Sequence, residues 1–247
     1  MFKMKYFSVL FIVLSVFGSV STKAQSEWNY NAGLYGWFAG MTGTVGLANQ
    51  QDQFKVTLSD LLKNLTFTAG LHFEAQNPKV VLIFDGFYFG VKKDIDQITI
   101  GNGLVYPTDA DVKLDEWLIE GSVGYRIIPE FDLLVATRVF GINTDLESND
   151  NIVASANKTW AAFYVGGRYS KDFSEKWYGS VRADAGYGAD GFVYFANAAV
   201  GYRFSKLFSL ALAYRILNMD YSSGSGVNYF LYEATASGFG LGFVFSF

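Results

Sequence analysis

Apolar residues in this chain come at every second position, segment after segment, and do not gather into a membrane-length run. In "EWNYNAGLYGWF" one face carries Trp28, Tyr30, Ala32, Leu34, Gly36 and Phe38. The other carries Glu27, Asn29, Asn31, Gly33, Tyr35 and Trp37. "LTFTAGLHFEAQ" splits the same way, with Leu65, Phe67, Ala69, Leu71, Phe73 and Ala75 against Thr66, Thr68, Gly70, His72, Glu74 and Gln76. Period two is the strand signature. About a dozen residues is also the length a tilted strand needs to cross a bilayer. The pattern returns in 79–92, 110–127, 131–146, 158–171, 176–189, 191–204, 207–221 and 229–247. With 27–47 and 65–76 it predicts an all-β chain. The architecture is an antiparallel transmembrane β-barrel of about ten strands, with eight and twelve as open counts.

The connections support closure in a membrane. "QNPK", "IPEF", "DFSEK" and "FSKLF" are tight turns, whereas 93–109, 147–157 and 222–228 are longer and polar. Short turns on one side and long loops on the other is the outer-membrane barrel pattern. Residues 48–64 break the alternation. "TLSDLLKNL" reads as a short helix in the first outer loop, capped by Ser59 or Thr57, with Leu58, Leu61, Leu62 and Leu65 on one face. A plug in the barrel mouth and a plain surface loop are both compatible with it.

The first residues read as an export leader. Lys3 and Lys5 precede an apolar run from about Tyr6 to Phe17, and small or polar residues follow to Ala24. The run is too short to span a bilayer as a helix. Cleavage after Ala24 would leave 25–247 as one barrel domain. It would also remove Lys3, Lys5 and Lys23 from a chain whose formal net charge is already -4. An acidic chain argues against nucleic acid as a partner. The absence of cysteine excludes disulfides, thiolate metal sites and cysteine nucleophiles.

Charge then assigns the faces. The six arginines are Arg126, Arg138, Arg168, Arg182, Arg203 and Arg215, each opposite its strand's larger apolar stripe. A guanidinium at the lipid midplane costs roughly 2–4 kcal/mol. Six would exceed a normal net stability. The arginine face is therefore assigned to the lumen, and parity puts Glu74, Asp85, Glu116, Glu120, Asp132 and Asp184 there too. A balanced set of this kind predicts a narrow interior knitted by ion pairs, with no strong net field. The opposite face carries aromatic girdles. Trp28, Tyr30, Tyr125, Tyr169, Trp177, Tyr202 and Phe208 lie toward the short turns, and Phe38, Tyr88, Tyr187 and Tyr194 toward the loops.

The last strand alternates Phe239, Leu241, Phe243, Phe245 and Phe247 with small residues. This ending resembles the C-terminal signal read by the outer-membrane insertion machinery, and it implies that machinery as a partner beside outer-membrane lipid. More of the chain carries a resemblance. "WNYNAGLYGWFAGMTGTVG", "LSDLLKNLTF" with "HFEAQ", "EWLIEGSVGYR" and "VGYRFSKLFSLALAYRILNMDY" resemble, in order and spacing, a widespread family of small bacterial outer-membrane proteins. That family is distantly similar to the outer membrane protein W and A barrels. The resemblance implies a barrel in the bacterial outer membrane and brings no catalytic residues. With an even strand count, both mature termini are expected on the periplasmic side.

Chemistry is sparse. The one histidine, His72, shares a face with Glu74, but no G-x-S-x-G elbow, phosphate loop or His-rich metal motif accompanies it. Asp109, Asp111 and Asp115 read as a solvated acidic loop in preference to a metal site. No enzyme, cofactor or metal is expected. Two readings remain open. One is a narrow channel or binding pore for small solutes, with an arginine- and acid-lined lumen. The other is a closed structural barrel that stabilises the envelope or presents its loops to partners.

Overall fold

The computed structural model describes residues 28–47, 50–100, 104–148, 151–188, 191–226 and 229–247. The segment read as an export leader lies outside the described residues. In chain order the elements are β1 (Asn29–Leu47), β2 (Gln50–Val56), α1 (Leu58–Asn64), β3 (Leu65–Gln76), β4 (Val80–Ile100) and β5 (Leu104–Ile128). They continue as β6 (Phe131–Ser148), β7 (Asn151–Asp172), β8 (Trp177–Tyr187), β9 (Phe192–Arg203), β10 (Phe208–Ser223) and β11 (Phe230–Ser246).

Neighbouring strands pair antiparallel from β3 to β11, β1 pairs with β3, and β11 returns to β1. The result is a closed barrel of ten strands, β1 and β3 to β11. Closure satisfies the edge groups that an open sheet would leave unpaired in lipid. The seam runs from Asn31 opposite Ser246 to Leu47 opposite Phe230. At its lower end Tyr30 and Phe247 exchange backbone hydrogen bonds of 2.9 Å, and their rings stack at 6.0 Å.

Two differences from the sequence reading concern the loop side. The long "loops" after β4 and β6 are largely strand: pairing continues to Ile100 opposite Leu104 and to Ser148 opposite Asn151. Above the membrane a ladder needs no apolar face, so polar residues extend it where hydrophobic alternation has faded. The first outer loop also contains a strand. β2 folds back on the loop-side end of β1, from Leu47 opposite Gln50 to Met41 opposite Val56. Helix α1 follows. Thr57 is its cap, and its side chain bonds the Asp60 amide while the Asp60 carboxylate reaches back to the Thr57 amide, a reciprocal capping box. Of its apolar face only Leu61 is buried, whereas Leu58 and Leu62 are exposed. The segment is thus a rim structure with one leucine turned inward.

The turns on the other side are built from side chains that satisfy the chain reversal. Asn77 accepts from the Lys79 and Val80 amides, Ser174 from that of Trp177, and Ser205 from that of Phe208. Outward-facing Leu34, Val123, Val135, Val165 and Val181 are all more than half exposed and form the apolar band. Below it a girdle of rings crosses strand after strand. Trp177 meets Tyr202, Tyr202 meets Phe204, Phe204 stacks on Phe208, and Phe208 contacts Phe243 and Phe245.

Candidate functional site

The lumen is divided across its length. Its turn-side half holds the charges in two clusters. In the deeper one, Arg138 donates from Nε to Glu120 at 2.6 Å and from Nη2 to Asp184 at 2.5 Å. Arg182 reaches the same two acids, each at 2.7 Å, and the Ser122 hydroxyl donates to Glu120. Arg138 is 1% exposed. Burial at that level is tolerable only because each carboxylate meets two guanidiniums.

The second cluster is a chain of contacts. Arg126 donates to Asp132 at 2.9 Å and to Gln76 at 2.7 Å. Arg168 bridges Asp132 at 2.8 Å and Glu74 at 2.6 Å. His72 stands between acids, 3.7 Å from Glu74 and 3.1 Å from Asp85. The Tyr35 hydroxyl donates to Asp85 at 2.6 Å and accepts from Arg215 at 3.1 Å. The Tyr35 ring lies against Gly70, where an added Cβ would fall 2.2 Å from it and force the ring to shift off its bonds to Asp85 and Arg215.

Two lumen residues stand apart from these clusters. Arg203 pairs with exposed Asp172 at 2.7 Å and lies over the Tyr178 ring, at the turn-side mouth. Glu116 sits at the other end. Its carboxylate accepts from the Tyr232 hydroxyl at 2.5 Å, and no cation of the described residues pairs with it. Asp111 and Asp115 lie on the outward parity of β5. Asp111 pairs with Lys92 at 2.7 Å, and Asp115 accepts from Tyr88 at 2.7 Å. The Asp109 side chain lies outside the described residues. Among the described residues, no group of three acids or histidines is placed to hold a metal.

The loop-side half of the lumen is apolar, a feature absent from the charge-based reading. Trp37, Phe89, Phe140, Trp160, Tyr232 and Leu61 belong to one buried cluster in that half. The charged and apolar halves meet through guanidinium faces. Arg138 rests 4.2 Å from the Phe195 ring centre and 4.0 Å from that of Tyr164, and Arg215 lies 5.0 Å from that of Tyr35. Arg138 thus donates to Glu120 and Asp184 while lying over two rings, and Arg215 donates to the Tyr35 hydroxyl beside the Tyr35 ring.

Two cavities follow from this division. A vestibule of about 690 Å³ opens among the turn residues Pro129, Glu130, Lys171 and Asp172. Small residues such as Gly33, Ala211, Gly240 and Gly242 leave its far wall free. A second cavity of about 30 Å³ lies within the apolar half, beside Glu116. Trp37, Leu118 and Leu217 line both cavities, and so form the partition between them.

Closure, the apolar outer band and the ring girdle give this chain the outer-membrane β-barrel fold. That is the fold of the solved structures it resembles. The outer membrane protease OmpT from Escherichia coli matches at 11% identity and a TM-score of 0.46, over 93% of this chain and 100% of that one. The attachment invasion locus protein Ail of Yersinia pestis, solved with a heparin analogue, matches at 11% and 0.42, over 89% of this chain and 99% of that one. The translocator domain of the autotransporter NalP from Neisseria meningitidis matches at 12% and 0.43, over 97% and 95%. No family model and no curated protein matches the sequence.

Proposed function

We propose that this protein is a closed outer-membrane barrel: a structural wall element with a blind, solute-accessible vestibule on its turn side and no through-pore. The observation that carries the reading is the partition. Trp37, Leu118 and Leu217 are each less than a tenth exposed, and rings fill the lumen beyond them. Ions crossing such a constriction would shed water against apolar surface, which opposes conduction. Below the partition the ion-pair clusters tie β3, β4, β5, β6, β7, β8 and β10 across the lumen. That suits a barrel whose role is mechanical.

In this reading the turn side faces the periplasm, with Tyr30 and Phe247 there, and the rim of β2, α1 and the long strand arms faces outward. The short turns and long arms support that orientation. The apolar stripe from Phe239 to Phe247 serves both as lipid contact and as the handle for the insertion machinery. Planar-bilayer recording on the folded protein tests the proposal. The wild-type barrel should show no discrete conductance steps, and the double variant Trp37→Ala with Leu217→Ala should show them. Stable steps from the wild type would overturn the closed reading and establish the channel.

A further inference from the structure

We propose that the small loop-side cavity beside Glu116 is a binding site for the ammonium head of an organic amine. The starting observation is a carboxylate without a counter-charge. Every other lumen acid named above has a basic partner within ion-pair distance, whereas among the described residues Glu116 has only the Tyr232 hydroxyl. Lys158, the described cation facing this end of the lumen, lies elsewhere. Its Nζ is 3.4 Å from Ser223 Oγ and 5.2 Å from the Phe230 ring centre. A carboxylate among rings, with little water around it, calls for a cation or a proton.

The lining decides which cation fits. Trp37, Phe87, Phe89, Phe140 and Trp160 surround the cavity together with Glu116. A hard metal ion wants six or more oxygen ligands and would find one carboxylate here. An alkylammonium needs one anion and several ring faces, which is what this lining supplies. About 30 Å³ accommodates one or two water-sized groups, the size of an –NH₃⁺ head. Glu116 is only partly buried, so a head group can reach it. Trp160 Nε1 is buried with no hydrogen-bond partner among the described residues, and a water brought in with the head group would give it an acceptor. The site lies on the loop side of the partition and is independent of whether that partition seals the lumen.

The test uses the folded protein in micelles, butylammonium chloride as the probe, and butanol as its neutral counterpart. Tryptophan fluorescence is the readout, because Trp37 and Trp160 line the cavity. Butylammonium should give a saturable change and butanol none at equal concentration. Glu116→Gln, nearly isosteric, should abolish the response, whereas Lys158→Met should keep it. Three results would overturn the proposal: no saturation by butylammonium, an equal response to butanol, or an unchanged response in Glu116→Gln. If that variant does not fold, the comparison of the two probes on the wild type still decides.

Discussion

Arg138 and Arg203 are both lumen arginines paired with acids, yet removing them should have very different consequences. Arg138→Ala strips Glu120 and Asp184 of one guanidinium each, where both acids are less than 5% exposed. Breaking a buried pair costs about 3–5 kcal/mol, less where vestibule water can enter. Arg182→Ala should cost less, because Arg182 is 8% exposed against 1% for Arg138 and gives up a less deeply buried set of contacts. Arg203→Ala, whose partner Asp172 is 63% exposed, should stay within about 1 kcal/mol. Urea-unfolding midpoints in micelles give the ranking, and equal losses for all three would refute an energy order set by burial. At this scale the sequence carries side-chain direction well and height poorly. Alternation puts Trp37 on the face of Gly33 and Tyr35, so a ring in the lumen is readable. That Glu116 lies level with rings while Glu120 lies level with arginines depends on barrel stagger, which no single strand encodes.

The last strand closes the barrel and, in the proposed reading, also carries the assembly signal. β11 pairs with β1 along its length and with β10 along the other edge, so it is the strand that closes the barrel. Its terminal ring stacks on Tyr30, and its backbone completes the ladder there. Phe247→Asp should therefore reduce the yield of heat-modifiable folded protein, seen as the compact band on an unheated gel. An undiminished band would show that the terminal ring matters neither for closure nor for recognition. Legibility varies by element for physical reasons. β3 and the second half of β11 alternate cleanly because one face meets lipid. α1 announces itself through Thr57, Asp60 and the leucines that follow. β2, "QQDQFKV", offers no such signal: its pairing partner is the rim of β1, and neither of its faces has a lipid boundary to match.

For the molecule as a whole, the outward residues fix how deeply it sits. On β5, Tyr125 belongs to the turn-side ring level, and Asp115, bonded to Tyr88, marks the first outward charge toward the loops. Along that stretch, at ~3.4 Å per residue and a tilt of ~40°, the barrel rises about 25 Å, the height of the apolar band in such proteins. Lys113 and the Lys92–Asp111 pair continue the charged zone beyond it, so the arms of β4 and β5 stand in water. Ile119 is outward, 46% exposed and close to the middle of the span. An arginine there has no lumen to turn into, since Glu120 and Leu118 occupy the inward positions on either side. Ile119→Arg should cost roughly 2–4 kcal/mol, and Tyr125→Arg, at the boundary, about 0–1 kcal/mol. Unfolding free energies of both variants, refolded into the same lipid vesicles, measure the difference. If the two cost the same, the band is not centred near Ile119 and the depth assigned from Tyr125 and Asp115 is wrong.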